Sequence, residues 1–246
     1  MISSRLLVSS SSSLWKRKLS SKLQLVSFST DKSKTVVIVD GVRLPFALSS
    51  TIYEDQMAVD LQRIAFKALI DKTALDHKAV DYIIAGTVIQ EVRTSNIARE
   101  AAINANFPNC VGAHTVSMAC ISSNAAICAA ADKIVSGHAS VVIAGGVETF
   151  SDVPIRLTRP LRQKLITMPK AMKKGGVIGA MRHILKLNIM KDILSLETPA
   201  IANYTTGEVM GNSSDKLSAK FNVSREDQDE FAVRSHILAA KAHESG

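Results

Sequence analysis

Residues 113–146 read AHTVSMACISSNAAICAAADKIVSGHASVVIAGG, and they indicate the fold class more clearly than any other part of the chain. The apolar runs 113–116 and 140–144 are predicted to be buried strands. Between them, ten of the 17 residues in 120–136 are Ala, Ser or Cys, which predicts a small-sided helix that packs on nearly every face. Gly137 is a natural helix stop. We therefore expect a strand–helix–strand unit at the centre of an α/β domain.

The same alternation extends towards the N-terminus. Residues 35–39 and 82–85 are apolar or β-branched runs, and each is predicted to be a buried strand. Residues 56–72 carry apolar side chains at helical spacing. A second helix is predicted over 95–104, with Ser95 as its cap.

Composition describes a globular chain with a distinct leader. The 246 residues are 46% hydrophobic and 21% charged, and no apolar run reaches the roughly 18 residues that a membrane-spanning helix needs. The net charge is +8, but residues 1–30 hold five basic and no acidic residues, together with eleven serines. This leader is typical of a mitochondrial transit peptide. A disordered basic tail is the alternative.

The three cysteines are Cys110, Cys120 and Cys128, and their spacing predicts neither a zinc site nor a disulfide framework. Cys120 stands where a strand gives way to a helix, and the N-terminus of a helix favours an anion such as a thiolate. Cys120 is therefore a candidate nucleophile, although a lone cysteine among apolar residues is more often an inert core residue. Cys128 is predicted to be a core residue, and Cys110 to lie in a loop.

Several separated blocks resemble the thiolase family, in the family's order and spacing over residues 34–246. The blocks are Arg43-Leu44-Pro45-Phe46, Gly86-Thr87-Val88-Ile89-Gln90, Asn96-Ile97-Ala98-Arg99, Met118-Ala119-Cys120-Ile121-Ser122, Ala144-Gly145-Gly146-Val147-Glu148, Met210-Gly211 and 224–232. The resemblance implies an α/β thiolase-like N-terminal domain with a mixed sheet layered between helices. Residues 34–152 and 204–246 would form this core, interrupted by a basic helical loop insertion at 153–203.

The resemblance also implies an activity, that of an acyltransferase of fatty-acid β-oxidation. Cys120 would attack a 3-ketoacyl-CoA, release acetyl-CoA and hold the shortened acyl chain as a thioester, which coenzyme A then removes. Coenzyme A is a co-substrate, and neither a tightly bound cofactor nor a metal is implied. Met210 would line the acyl pocket. The implied protein is a homodimer in a complex with an α-subunit, in the mitochondrial matrix or on the inner membrane.

The sequence up to Gly246 differs from the family pattern in missing motifs and in two substituted positions. Thiolases use a histidine, a second cysteine and an asparagine-bearing motif from their C-terminal half, and that C-terminal domain is absent from this sequence. Ser123 stands where a glycine often follows the nucleophile block, and Asn212 where relatives often have histidine. The chain alone is thus expected to be incomplete and inactive. An alternative is a truncated chain that only binds a full-length relative or a complex partner. A ketoacyl synthase is a further rival.

The insertion is strongly basic, since residues 153–191 contain ten Lys or Arg residues and no Asp or Glu. Ile178, Met181, Leu185 and Ile189 recur within it at helical spacing. Three interpretations remain open: a solvated positive face, attraction of the coenzyme A phosphates, and contact with an anionic membrane surface. Nucleic acid is not expected, because aromatic residues are only 4% of the chain and none interleave with these charges.

Overall fold

The structure, a computed structural model, describes residues 35–185 and 196–245. It divides into two compact units, the first comprising residues up to Val88 with Arg93–Glu148, and the second comprising Ile89–Val92 with the residues from Thr149 onwards. The predicted transit peptide lies outside the described residues, as does Ile189 of the basic segment.

Strands and helices alternate in the first unit, as the sequence predicts. Its elements are α1 (Ala58–Thr73), β1 (Tyr82–Gly86), α2 (Ile97–Asn104), β2 (Gly112–Val116), α3 (Ser122–Val135) and β3 (Val142–Gly146), with a short 3-10 turn at His77–Ala79. The strands form a sheet in the order β2-β1-β3. All its pairs are parallel, whereas a mixed sheet was expected. Each connection crosses over through a helix, which is the arrangement that parallel neighbours require.

The two faces of this sheet are covered by different helices. Ile83 and Ala85 of β1 join a large apolar cluster with residues of α1 and α2. Ile84, which points to the opposite face, packs with Ala126 and Ala130 of α3. Ile83 and Ile84 are both 0% exposed, so the central strand is buried on both sides, as is usual in an α/β sheet.

Most predicted elements of the first unit are confirmed, with small shifts at their ends. Helix α2 ends at Asn104 as expected, but its cap is Asn96 rather than Ser95. The last strand begins at Val142 rather than residue 140, because Ser140 and Val141 donate their backbone N–H groups to the Asp81 carboxylate, at 2.7 and 3.0 Å. These two hydrogen bonds hold the pKa of Asp81 below its usual value.

The prediction of a buried strand at 35–39 is wrong for this structure. The segment has no strand assignment, and Val37, Ile38 and Val39 are 68, 84 and 88% exposed. A β-branched run shows that a segment favours extended backbone, but it does not show which strand would pair with it. Among the described strands none pairs with this run. Its continuation is held to α1 by an ion pair between Asp40 and Lys72, 2.7 Å long.

Helix α3 also differs from its prediction, because it packs on one face rather than on nearly all. Its buried residues are Ser122, Ala126 and Ala130, which repeat every four residues and so lie on a single stripe. Cys128, which was expected in the core, is exposed. Small side chains permit close packing on any face, but the buried stripe of α3 is the face that packs against the sheet.

The second unit contains β4 (Arg156–Leu157), α4 (Arg159–Ile184), β5 (Leu196–Glu197), α5 (Met210–Phe221) and α6 (Arg225–Ser245). Strands β4 and β5 pair antiparallel. Ser224 caps the last helix, since its hydroxyl accepts from the Asp227 backbone N–H at 3.1 Å. None of the helices described is both long and apolar enough to span a bilayer.

Helix α4 is a helical hairpin rather than one rod. Its backbone leaves the helical region at Gly175 and Gly176, and Gly176 has a φ of +59°. Thr167 Oγ1 lies 2.7 Å from His183 Nε2, although residues sixteen apart in a straight helix would be about 24 Å apart. The two arms therefore run back along each other. Gly179 permits this approach, since a Cβ there would lie 2.8 Å from the Ala171 carbonyl oxygen.

Candidate active site

Cys120 lies at the carboxyl end of β2, in the tight turn that leads into α3. Helix α3 begins at Ser122, so Cys120 precedes the helix by two residues. Its thiol is exposed. The loop after β1 leads to α2 on one face of the sheet, and the loop after β2 leads to α3 on the other. Such a divergence between neighbouring parallel strands is where α/β sheets characteristically bind ligands.

The turn that carries Cys120 is strained and is braced by one side chain. Ala119 has a φ of +45°, a left-handed conformation that non-glycine residues rarely adopt. The buried Ser122 hydroxyl accepts from Met118 N at 2.8 Å and donates to the Ala119 carbonyl at 2.6 Å. Ser122 therefore bridges the turn and keeps Cys120 at its exposed apex, which is a role that sequence reasoning did not assign to it.

Two glycines allow the first turn of α3 to sit directly on the sheet. A Cβ on Gly86, the last residue of β1, would lie 2.6 Å from both the Ser122 carbonyl oxygen and the Ser123 backbone nitrogen. A Cβ on Gly146, the last residue of β3, would meet the Ser123 hydroxyl and would lie 2.5 Å from the Gly86 carbonyl oxygen. Glycine is thus required at positions 86 and 146 because backbone segments approach each other closely there.

The loop after β1 is tied to both neighbouring strands. Thr87, which is 2% exposed, donates its backbone N–H to Val116 O of β2 at 3.1 Å. The Glu148 carboxylate, just past β3, accepts from Val88 N at 2.8 Å and from the Thr87 hydroxyl at 3.5 Å. These contacts join the carboxyl ends of all three strands of the sheet around the base of the Cys120 turn.

Asn96 and Arg99 fasten helix α2 to strand β2. The Asn96 side chain accepts from Arg99 N and from the Thr115 hydroxyl at 3.2 and 2.9 Å, and it donates to Ala113 O at 3.0 Å. The Arg99 guanidinium donates to Val111 O at 2.6 Å and to Asn109 O at 3.1 Å. Asn96 and Arg99 therefore have a structural role, because they orient β2, the strand that leads to Cys120.

The other predicted residues are not brought to Cys120. Cys110 lies exposed in a turn, as expected, and the exposed Cys128 thiol contacts Asn124 at 3.6 Å. His114 lies on β2 beside Tyr82, 5.5 Å between ring centroids, and burial together with the nearby Lys133 lowers its pKa. Met210 begins α5 in the second unit and is 68% exposed; its place in an acyl pocket stays a prediction.

Partners of the Cys120 thiol are not found in the part of the chain that the structure describes. No hydrogen bond to its sulfur is seen among residues 35–185 and 196–245, and no histidine of these ranges reaches it. The same residues contain no cluster of three or more metal-ligating side chains. What these residues supply is an exposed thiol in a braced turn, just before a helix N-terminus, where a negative charge is favoured.

Comparison with known proteins agrees with this arrangement. Residues 36–246 match the family "Thiolase, N-terminal domain". A probable 3-ketoacyl-CoA thiolase of Caenorhabditis elegans is 51% identical over 217 residues, which is 86% of this chain and 46% of the relative. The mitochondrial trifunctional enzyme subunit beta of Bos taurus is 48% identical over 236 residues, or 92% of this chain and 49% of the relative. The chain spans about half the length of these relatives.

A solved structure shows the same fold. The crystal structure of the Bacillus anthracis acetyl-CoA acetyltransferase matches with a TM-score of 0.62 and 28% identity, over 80% of this chain and 45% of that one. The α/β class, with a parallel sheet between helices, is thereby confirmed. The matched family covers every helix and strand described in the first unit, including the turn that carries Cys120, and extends to residue 246. This chain belongs to the thiolase family.

Proposed function

We propose that this chain carries the acyl-accepting nucleophile of a 3-ketoacyl-CoA thiolase, and that Cys120 is that nucleophile. The observation that supports the proposal is the position of an exposed thiol at the apex of a braced turn, two residues before the N-terminus of α3. The Ile121 N-cap of α3 makes no side-chain hydrogen bond. Isoleucine has no side-chain oxygen that could cap the helix, and a helix N-terminus favours negative charge placed beside it.

The reaction follows from the chemistry of a thiolate and a 3-ketoacyl thioester. The Cys120 sulfur adds to the 3-keto carbon, the bond between carbons 2 and 3 breaks, and its electron pair leaves with acetyl-CoA, which takes up a proton. The acyl chain, shortened by two carbons, remains on Cys120 as a thioester. The thiolate of coenzyme A then attacks this thioester and releases the shortened acyl-CoA, regenerating Cys120. A nucleophile splits one difficult step into two easier ones.

The second half-reaction can be tested on this chain in reverse. Incubation with a saturated medium-chain acyl-CoA is expected to transfer the acyl group to Cys120 and release coenzyme A, giving a mass increase equal to one acyl group. Peptide mapping should place the thioester on Cys120, and free coenzyme A should remove it. Cys120→Ser is expected to abolish the adduct, whereas Cys128→Ser, the matched control at an exposed cysteine within α3, should keep it. Acylation spread equally over the three cysteines would contradict the proposal.

A second candidate function is a chain that binds a full-length relative or a complex partner without catalysing. The observation that favours it is the exposure of two large apolar side chains, Ile121 just before α3 and Ile127 within it, at 57 and 44%. Exposed apolar surface of this kind is a feature of interaction sites. The acylation experiment separates the two candidates, because a chain that only binds its partner would form no Cys120 thioester.

The assembly and location of the protein are part of the same proposal. The Bos taurus relative is named as a mitochondrial subunit beta of a trifunctional enzyme, and residues 1–30 have the composition of a transit peptide. We infer a mitochondrial protein that acts as a homodimer together with the α-subunit of the trifunctional complex. Its substrates are 3-ketoacyl-CoA and coenzyme A, with no tightly bound cofactor.

The helical hairpin of α4 supports a proposal of contact with the anionic inner membrane. Its exposed apolar side chains include Ile166 at 76%, Val177 at 70% and Ile178 at 67%. Lys170, Lys173 and Lys174 are exposed around the Gly175 turn. Apolar side chains that are flanked by lysines suit the interface between lipid headgroups and acyl chains, and each cation near an anionic surface contributes about 1 kcal/mol.

Sedimentation with lipid vesicles tests this contact. The chain is expected to bind vesicles containing an anionic lipid and to bind neutral vesicles at least tenfold more weakly. Replacing Lys170, Lys173 and Lys174 with glutamine should weaken binding by roughly fivefold per charge. The matched control replaces Lys220, Arg234 and Lys241 of α5 and α6, which removes the same charge outside the hairpin. Equal losses in both triple variants would indicate that net charge, and not the hairpin, binds the lipid.

A further inference from the structure

We propose that Glu148 is a positioning residue for Cys120: it holds the loop after β1 in place and, through that loop, the first turn of α3. The proposal rests on the proposed function, because it assigns Glu148 a part in orienting the nucleophile. Glu148 follows the glycine pair of β3, and its carboxylate reaches back across 60 residues of sequence to Val88. Neither its charge nor its place in the sequence indicates this contact.

The contacts of Glu148 close a ring around the carboxyl ends of the strands. One carboxylate oxygen accepts from Val88 N at 2.8 Å, and the other accepts from the Thr87 hydroxyl at 3.5 Å. The preceding residue, Val147, donates its backbone N–H to Gly86 O at 2.9 Å, and Thr87 N donates to Val116 O at 3.1 Å. The three residues 86–88 are thus held from the β3 side by Glu148 and Val147, and from the β2 side by Val116.

This loop bears directly on the turn that presents Cys120. Gly86 lies so close to Ser122 and Ser123 that a single added carbon would clash with their backbone atoms. Movement of residues 86–88 must therefore shift the first turn of α3 or open a gap beneath it, because packed backbone segments do not deform independently. Ser122, which braces the strained turn at Ala119, belongs to that same helical turn. Glu148 therefore acts on Cys120 through Gly86 and Ser122.

The role assigned to Glu148 is geometric rather than that of a general base. Both oxygens of its carboxylate accept hydrogen bonds from the loop after β1, one from the Val88 backbone and one from the Thr87 hydroxyl. A glutamine of the same length presents an oxygen to Val88 N and an amide donor to Thr87. An aspartate keeps the charge but shortens the side chain by one methylene, so it does not span the 2.8 Å contact without a backbone shift.

Alkylation of the three thiols in one molecule tests the proposal. Iodoacetamide is added to the full chain at pH 7, and peptide mass spectrometry gives the rate at Cys120 relative to the rate at Cys110, which is also exposed. Glu148→Ala and Glu148→Asp are each expected to lower this ratio by about tenfold, since small displacements of a reacting group have large effects on its rate. Glu148→Gln should keep the ratio within twofold of the unsubstituted chain.

A second carboxylate clamp provides the control. Asp81 accepts from the backbone N–H groups of Ser140 and Val141 and so joins β1 to β3 at the opposite end of the same two strands. Asp81→Ala removes two hydrogen bonds of the same kind, yet it should leave the alkylation rate of Cys120 relative to Cys110 unchanged. Circular dichroism confirms that each variant is folded. If Glu148→Ala does not fold, Glu148→Asp carries the test.

The outcomes separate this proposal from the proposed function. A ratio near one in the unsubstituted chain would show that Cys120 is not an activated thiol, and the proposed function would fail. If Cys120 is still alkylated much faster than Cys110 in Glu148→Ala and Glu148→Asp, Cys120 remains the proposed nucleophile, but the positioning role of Glu148 is overturned. A loss in Asp81→Ala as large as that in Glu148→Ala would show a general effect of sheet stability, which also overturns it.

Discussion

Replacing Gly146 with alanine is expected to lower the free energy of unfolding of the first unit by roughly 2–3 kcal/mol, the upper part of the range for overpacking. The added Cβ would lie 2.5 Å from the Gly86 carbonyl oxygen and would also meet the Ser123 hydroxyl. The hydroxyl can rotate away, but the carbonyl belongs to the backbone of the central strand. Relief of the contact therefore requires β1 and β3 to separate at their carboxyl ends, beneath the turn that carries Cys120.

The neighbouring residue is a matched control. A Cβ on Gly145 would have no atom within 4 Å, and Gly145 is not among the residues with a positive φ. Gly145→Ala should therefore be neutral, or stabilising by about 0.5 kcal/mol through the lower entropy of the unfolded chain. Urea titration followed by far-UV circular dichroism measures both variants. Equal losses at Gly145 and Gly146 would show that the close approach of β1 and β3 does not set the requirement for glycine.

Removing the Ser122 hydroxyl is expected to have the second large effect. Ser122→Ala deletes the acceptor of Met118 N and the donor to Ala119 O in one step. The loss of a buried hydrogen-bonding group costs roughly 1–3 kcal/mol. The same change removes the brace that holds Ala119 at a φ of +45°. The turn can then relax towards an ordinary conformation, and the rate of Cys120 alkylation should fall by about tenfold relative to Cys110.

Ser123 is the control for this prediction. It is the adjacent serine in the same helical turn, its side chain is exposed, and a methyl group there leaves the Met118 and Ala119 contacts intact. Ser123→Ala should therefore change neither the free energy of unfolding nor the alkylation ratio by a measurable amount. If Ser122→Ala behaves like Ser123→Ala, the turn is held by its backbone alone, and the assigned role of Ser122 is wrong.

Local patterns predicted the central elements of this fold because their causes are local. Tyr82–Gly86 and Gly112–Val116 are strands where apolar runs predicted them. Helix α1 follows the spacing of its apolar side chains, and Gly137, with a φ of +76°, ends the α3 region as expected. Backbone preference and side-chain periodicity act over a few residues, so they can be recognised in the sequence without knowledge of the rest of the molecule.

Burial was predicted less well than secondary structure, because burial depends on what lies opposite a residue. The run 35–39 was expected in the sheet and is exposed. The small side chains of α3 were expected to be covered on nearly every face, but the stripe of Ser122, Ala126 and Ala130 alone is buried. The hairpin of α4 was missed altogether, since the Gly175-Gly176 pair shows that a break is permitted but not the direction of the second arm.

The sequence alone predicted the alternation of strands and helices and the candidate nucleophile Cys120 at a strand–helix junction. It also contained the ordered blocks shared with thiolases. Each of these features depends only on a short segment of the chain. Tertiary structure decided which groups surround that junction. Glu148 reaches Val88 from 60 positions away, and Gly146 makes room for β1 and for Ser123. Contacts between distant segments depend on how the sheet is assembled, and no local pattern in the chain encodes that assembly.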